Sequence, residues 1–170
     1  IQSGGTPLAA IASMGSALGS IEFGHTMAEE SGGVLLEKKC GVDNVRIPLP
    51  MGISATDRFF DQLAHLTGSA IPEKYEGERG RLVDSYVDSH KYVYGKKAIV
   101  YGEEDLVVGL TAFLAEIGVM PVLCASGGKS GKLAEMIRQA TEELLPEQPQ
   151  VHEGMDFFDI TELAESLEPD

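Results

Sequence analysis

ERGRLVDSYVDSHKYVYGKKAIVYGEEDLVVGLTAFLAEIG, residues Glu78–Gly118, is the stretch on which the fold class turns. It reads as a charged amphipathic helix, a short apolar strand, an acidic turn and a second amphipathic helix, with almost no slack between them. Leu82, Val83, Tyr86, Val87 and His90 recur at helical spacing, and Gly95 ends that helix. Ala98–Tyr101 is the strand. Leu106, Leu110, Phe113, Leu114 and Ile117 then share one face of a helix over Glu104–Ile117. That order is the start of an α/β unit.

Toward the C-terminus the rhythm continues. Gly118 caps the helix, Pro121–Ala125 reads as strand and Gly131–Leu145 as helix. Val151-His152 is a weak strand, and Phe158–Leu167 is helical. Strands alternating with helices of this length predict a parallel sheet with right-handed crossovers. Toward the N-terminus, Pro72 opens the long helix that runs to about Tyr94. Before it come a helix over Asp57–Leu66, capped by Ser54 or Thr56 and ended by Gly68, and a strand over Val45–Leu49. Further back lie a helix over Met27–Cys40 closed by Gly41, a short strand over Ser20–Phe23, and an Ala-rich helix over Pro7–Leu18 with Thr6 as its cap. The natural boundary falls near Gly95, which divides the chain into 1–94 and 95–170.

Bulk properties narrow the function. The chain has 170 residues, 43% of them hydrophobic, and a net charge of -14. That acidity speaks for solubility and against a nucleic-acid phosphate surface, which needs clustered Lys and Arg. No apolar run approaches the roughly 20 residues needed to span a bilayer, so no membrane role is expected. The two cysteines, Cys40 and Cys124, form no CxxC pair or His/Cys cluster. A cysteine-poor α/β chain fits the cytoplasm. Starting at Ile1 and stopping at Asp170 straight after a helical pattern, it reads as an internal segment of a longer polypeptide.

Four constellations could carry chemistry. Ser126-Gly127-Gly128-Lys129-Ser130-Gly131-Lys132 sits between a strand and a helix, the setting of an anion loop, with Ser126, Gly127, Gly128, Gly131 and Lys132 as its candidate residues. It departs from a nucleotide P-loop: Ser126 stands where the first glycine belongs, and Leu133 replaces the magnesium-binding hydroxyl. Gly102–Asp105 (GEED) follows a strand, but two glutamates would repel a phosphate and instead suit a helix N-terminus. Asp84 and Asp88 share a helical face while His90 lies on another, a pattern open to a metal pair or to a solvated face with one packed histidine. Ser3-Gly4-Gly5-Thr6 reads as an anion nest or as a loop and cap. His25, His65 and His152 are scattered. No catalytic, cofactor-binding or metal residue is assigned on this basis.

Three segments carry a resemblance to a known family. IPLPMGISATDRFFDQLAHLTGSAIPE (47–73), ERGRLVDSYVDSHKYVYGKK (78–97) and GEEDLVVGLTAFLAEIGVMPV (102–122) resemble the nitrogenase component 1 family, in particular its beta-type subunits, with Tyr94 where His is usual. The opening SGGTPLAAIASMGSA is also similar to the counterpart subunit of the cofactor-assembly scaffold. The resemblance implies parts of two domains built as parallel-sheet Rossmann-like α/β units: the end of a middle domain in 1–94, and the start of the next in 95–170, which would lack its final strand. For the parent protein it implies dinitrogen reduction or iron–molybdenum cofactor assembly, with metal–sulfur clusters. It also implies an alpha-type subunit, a second beta-type subunit and an iron protein electron donor. Cys40 and Cys124 do not match the family's cluster ligands, which lie upstream of the matched region. The expectation is therefore a structural segment with no cluster of its own, inactive when isolated. The alternatives are a small phosphate- or nucleotide-binding module using 126–132, and a protein-interaction domain.

Overall fold

The computed structural model describes residues 6–26 and 29–170. Residues 3–5 of the opening nest, and Met27 and Ala28 at the expected start of a helix, lie outside them. In chain order the elements are α1 (Leu8–Ser13, followed by a 3₁₀ turn, Met14–Ser16), β1 (Ser20–Phe23), α2 (Gly32–Cys40), β2 (Asn44–Ile47), α3 (Gly52–Thr67) and α4 (Glu73–Val93). They continue with β3 (Lys97–Gly102), α5 (Glu104–Glu116), β4 (Met120–Ser126), α6 (Leu133–Thr141), β5 (Gln150–Glu153) and α7 (Phe157–Leu167). Among the described residues the strands form two sheets, β1-β2 and β3-β4-β5, parallel throughout. This matches the α/β, parallel-sheet expectation.

Several helix ends differ from the sequence reading, and at α2 and α3 a carboxylate far away in sequence takes part. α2 begins at Gly32, because Ser31 caps it by accepting the Val34 N–H at 3.4 Å. The Glu22 carboxylate, arriving from β1, accepts the Gly33 N–H at 2.7 Å. A Cβ on Gly33 would strike the Asn44 and Glu22 side chains. α3 begins at Gly52, ahead of Asp57, because Glu116 of α5 accepts the N–H groups of Ile53 (2.8 Å) and Ser54 (2.9 Å). Ser54 and Thr56 therefore lie inside the helix and do not cap it; Thr56 donates back to the Gly52 carbonyl at 2.6 Å. Gly52 itself has φ +78 and lies against the Glu116 carboxylate, so a residue with a Cβ there would be strained and would push that carboxylate aside. α6 is shorter than expected at both ends, starting at Leu133 and giving way to a turn after Thr141. Pro7, not Thr6, occupies the cap position of α1.

The three-stranded sheet is covered on both faces. Val100 and Cys124 face α5 and α6, packing with Val107, Val108, Leu133 and Ile137. The alternate residues Ile99, Tyr101, Leu123 and Ala125 pack with Ile160, Leu163 and Leu167 of α7. α5 buries Val107, Val108, Thr111 and Ala115 instead of the expected stripe of larger residues, and Leu106 is 39% exposed. The reason is position. α5 lies between the sheet, α6 and α3, so its small residues take the closest approach and Leu110 and Leu114 fill the flanks.

The N-terminal half is held by an aromatic row. Phe23, Phe59, Phe60 and Tyr75 lie ring to ring at 5.7, 5.5 and 5.0 Å, linking β1, α3 and α4. Arg79 of α4 donates two bonds of 2.8 Å to Asp57 of α3. Every residue of α4 is nevertheless exposed or half-buried, with Val87 at 71%.

Candidate functional site

In open α/β sheets, ligand crevices form beyond the carboxyl ends of the strands. Here β3, β4 and β5 end at Gly102, Ser126 and Glu153. A cleft of about 560 Å³ opens there, lined by Thr26, Tyr101, Gly102, Glu103, Glu104 and the loop from Ser126 to Ser130.

The 126–132 loop folds as a nest of backbone N–H groups, and the chain's own carboxylates fill it. Glu153, at the end of β5, accepts the N–H of Gly131 (2.9 Å) and of Leu133 (3.0 Å) and the Ser130 hydroxyl (3.3 Å). The Leu133 N–H does most to hold the Glu153 carboxyl below the usual range; burial opposes it, and Gly131 and Ser130 add to the lowering. Glu104 accepts the Ser130 N–H at 3.0 Å. The Gly128 and Lys132 N–H groups bond to the hydroxyls of Ser126 and Ser130. A phosphate entering this loop would have to displace two carboxylates and then lie beside them. The loop residues Ser126, Gly127 and Gly128 do reach the cleft; Gly131 and Lys132 do not line it.

The GEED acids divide into three roles. Glu103 caps α5, accepting from the Asp105 and Leu106 N–H groups at 3.1 and 3.3 Å. Asp105 accepts the His25 N–H (2.7 Å), the Thr26 N–H (3.2 Å) and the Thr26 hydroxyl, and so ties the second sheet's unit to the loop after β1. Glu104 is 4% exposed; its Oε1 meets Ser130, and its Oε2 has no hydrogen-bond partner among the described residues.

The remaining candidates are not gathered into a site. Asp84 and Asp88 are exposed on α4, while His90 stacks on Tyr94 at 4.6 Å and packs against Gly118. His25 and His65 are exposed, and His152 is half-buried on β5. Among the described residues no group of three or more His, Cys, Asp or Glu is arranged to hold a metal. Cys40 is exposed; Cys124 is buried, contacts the Thr111 hydroxyl at 3.2 Å, and has its thiol pushed up to about 11 by burial. Sequence reasoning missed Glu153, Thr26 and Tyr101. Glu153 was findable in principle, since it follows a strand toward the sheet's carboxyl edge. Thr26 reaches the cleft only through the docking of the two sheets.

A family model described as "Nitrogenase component 1 type Oxidoreductase" matches residues 1–170. The chain is 33% identical over 157 residues to the nitrogenase molybdenum-iron protein beta chain of Clostridium pasteurianum, covering 92% of this chain and 34% of that one. It is 35% identical over 132 residues to the beta chain of the same name from Azotobacter vinelandii, covering 74% and 24%. Among solved structures, "Nitrogenase Cp1 at pH 6.5" superposes with a TM-score of 0.84 at 32% identity, over 92% of this chain and 34% of that one. The chain thus spans about a third or less of the length of these relatives. Among the described residues, no helix is long and apolar enough to cross a membrane.

Proposed function

The chain belongs to the nitrogenase component 1 type oxidoreductase family, and from that premise we propose that it is a structural segment of a beta-type subunit. In this reading 1–94 closes a middle domain and 95–170 opens the following Rossmann-like domain. The two separate parallel sheets, joined through α3 and α4, support that division. The parent protein reduces dinitrogen or assembles the iron–molybdenum cofactor, in the cytoplasm. It pairs with an alpha-type subunit and a second beta-type subunit and takes electrons from an iron protein. α4, on which Leu82, Val87 and Tyr92 are exposed at different points around the helix, is the element offered to a subunit partner.

The parent's metal–sulfur clusters are not assigned to this segment, because the residues present do not fit them. Cluster ligation needs thiolates. Cys124 is sealed in the core with its thiol pushed to about 11, and Cys40 lies on the surface at the end of α2. The segment's contribution is a frame: it presents sheet edges and helices and performs no electron transfer by itself.

The observation that carries this reading is the family match along the whole chain together with the structural likeness at a TM-score of 0.84. Iron analysis and electron paramagnetic resonance of the purified chain test it. The expected result is iron well below one per chain and no cluster signal; stoichiometric iron with a cluster signal would overturn it. Calorimetric titration with ATP addresses the phosphate-binding alternative, and no saturable heat is expected from either the natural chain or Lys132→Ala. Heat that depends on Lys132 would favour the binding module.

A further inference from the structure

α3 and α4 touch through Phe60–Tyr75 and Asp57–Arg79, so residues early in α3 face residues later in α4. Between the two helices lies a recess of about 370 Å³, with Ile71 of their short connection also on its wall. That volume falls in the range of binding pockets. Its apolar lining is Ile53, Phe60, Ile71, Tyr75 and Leu82. Tyr75 and Leu82 stay 38% and 42% exposed. They stand two turns apart on one face of α4, so the apolar strip is roughly 10 Å long.

The rim is predominantly acidic. Asp57, Asp61, Glu76 and Glu78 line the recess against a single base, Arg79. Arg79 is committed, since its Nε and Nη2 each donate to Asp57 at 2.8 Å. Glu78 pairs with Arg81, and Lys74 rests on the Tyr75 ring at 4.6 Å; both bases lie outside the lining. With those two counted, the acids still outnumber the bases. Asp61 and Glu76, on opposite walls, are in no ion pair among the described residues, although Glu76 feels the Arg79 charge less strongly than Asp57 does. Such a rim attracts cations, while the strip between its walls favours a large apolar group.

We propose that the recess between α3 and α4 docks a polypeptide segment carrying a large apolar side chain flanked by lysine or arginine. The length of the strip favours a polypeptide, because about three residues of extended chain span roughly 10 Å. A second copy of this chain is disfavoured: its net charge of -14 would meet an acidic rim. The docking adds a partner of stated chemistry beyond the structural role proposed above, and it rests on the recess alone, whether or not the beta-subunit reading holds.

Titration of the ¹⁵N-labelled 170-residue chain with acetylated, amidated tripeptides tests it. Lys-Phe-Lys is expected to shift the Asp61, Ile71, Glu76 and Leu82 amides saturably. Lys-Gly-Lys, which lacks the apolar group, and Glu-Phe-Glu, which reverses the charge, are expected to leave them unmoved. Asp61→Asn combined with Glu76→Gln, both at exposed positions, should weaken Lys-Phe-Lys about fivefold with the amide spectrum otherwise unchanged. Phenethylammonium is expected to bind more weakly than the tripeptide; binding as tightly would assign the recess to a small amine and overturn the proposal. So would the absence of saturable shifts with Lys-Phe-Lys, or equal shifts with Glu-Phe-Glu. Shifts of the same amides on raising the chain concentration alone would assign the recess to a second copy and overturn it as well.

Discussion

At the scale of single residues, the informative groups are carboxylates whose partners decide what they do. Glu22 is 9% exposed at its side chain. Burial would raise its carboxyl, yet the hydrogen bonds from Ser31, Gly33, Asn44 and Arg46 outweigh that and hold it at about 2, against an ordinary 4.5. A carboxyl depressed on folding adds stability above its unfolded value and loses it as pH falls toward its folded one. The contribution is therefore complete above about pH 5 and fades toward pH 2. Glu22→Gln is expected to lower the unfolding free energy by about 2–3 kcal/mol near neutral pH, with the gap between variant and natural chain roughly halved at about pH 3 and closing toward pH 2. Urea unfolding at the two pH values measures this; a gap that stays constant with pH would mean the Glu22 charge is not the stabilising element. Nothing in the sequence separates Glu22 from an exposed acid such as Glu37. The difference is four donors brought to it from β2 and the start of α2.

At the scale of elements, α5 is clasped at both ends by its own acids. Asp105 in its first turn holds the backbone after β1, and Glu116 in its last turn caps α3. A helix C-terminus is an unfavourable place for a negative charge, so Glu116 is better used on the positive end of another helix. Met51 beside Gly109 completes the α3–α5 contact. Asp105→Ala and Glu116→Ala are each expected to cost about 1–2 kcal/mol. The two sites lie roughly 16 Å apart along the helix, far enough for the double variant to be additive within about 0.5 kcal/mol. Thermal or urea unfolding of the single and double variants checks both expectations, and strong non-additivity would mean the two ends do not act as independent clasps. The sequence showed α5 clearly as a helix, through its spacing and Gly118. It did not show which face is buried, because a helix packed on three sides is apolar nearly all round. The short residues Gly109, Thr111 and Ala115 win the closest contacts.

For the whole molecule, cover is uneven. β3, β4, α5 and α6 share a closed core, whereas α4 touches its neighbours through scattered contacts such as Arg79–Asp57, Phe60–Tyr75, Tyr86–Phe113 and His90 against Gly118. Local opening follows buried contact, so α4 amides of the isolated chain are expected to exchange with solvent at least tenfold faster than those of β3 and β4. Hydrogen exchange read by mass spectrometry tests this. Addition of an alpha-type or beta-type partner subunit should slow α4 selectively; α4 already as protected as the sheet would remove the case for it as a contact surface.

The division between sequence and tertiary structure follows from the range of the forces involved. Helical and strand periodicity, together with glycines at helix ends, are local, and they sufficed for the order of elements and the α/β class; the family resemblance rested on the wording of segments 47–73, 78–97 and 102–122. Three features depended on groups far apart in sequence: where α2 and α3 begin, which face of α5 is covered, and what fills the 126–132 loop. The covered face of α5 was decided by packing against the sheet, α6 and α3, and the other two when folding delivered a carboxylate to a backbone N–H: Glu22 to Gly33, Glu116 to α3, Glu153 and Glu104 to the loop. A loop that looks able to hold an anion in the sequence thus holds the chain's own anions in the fold.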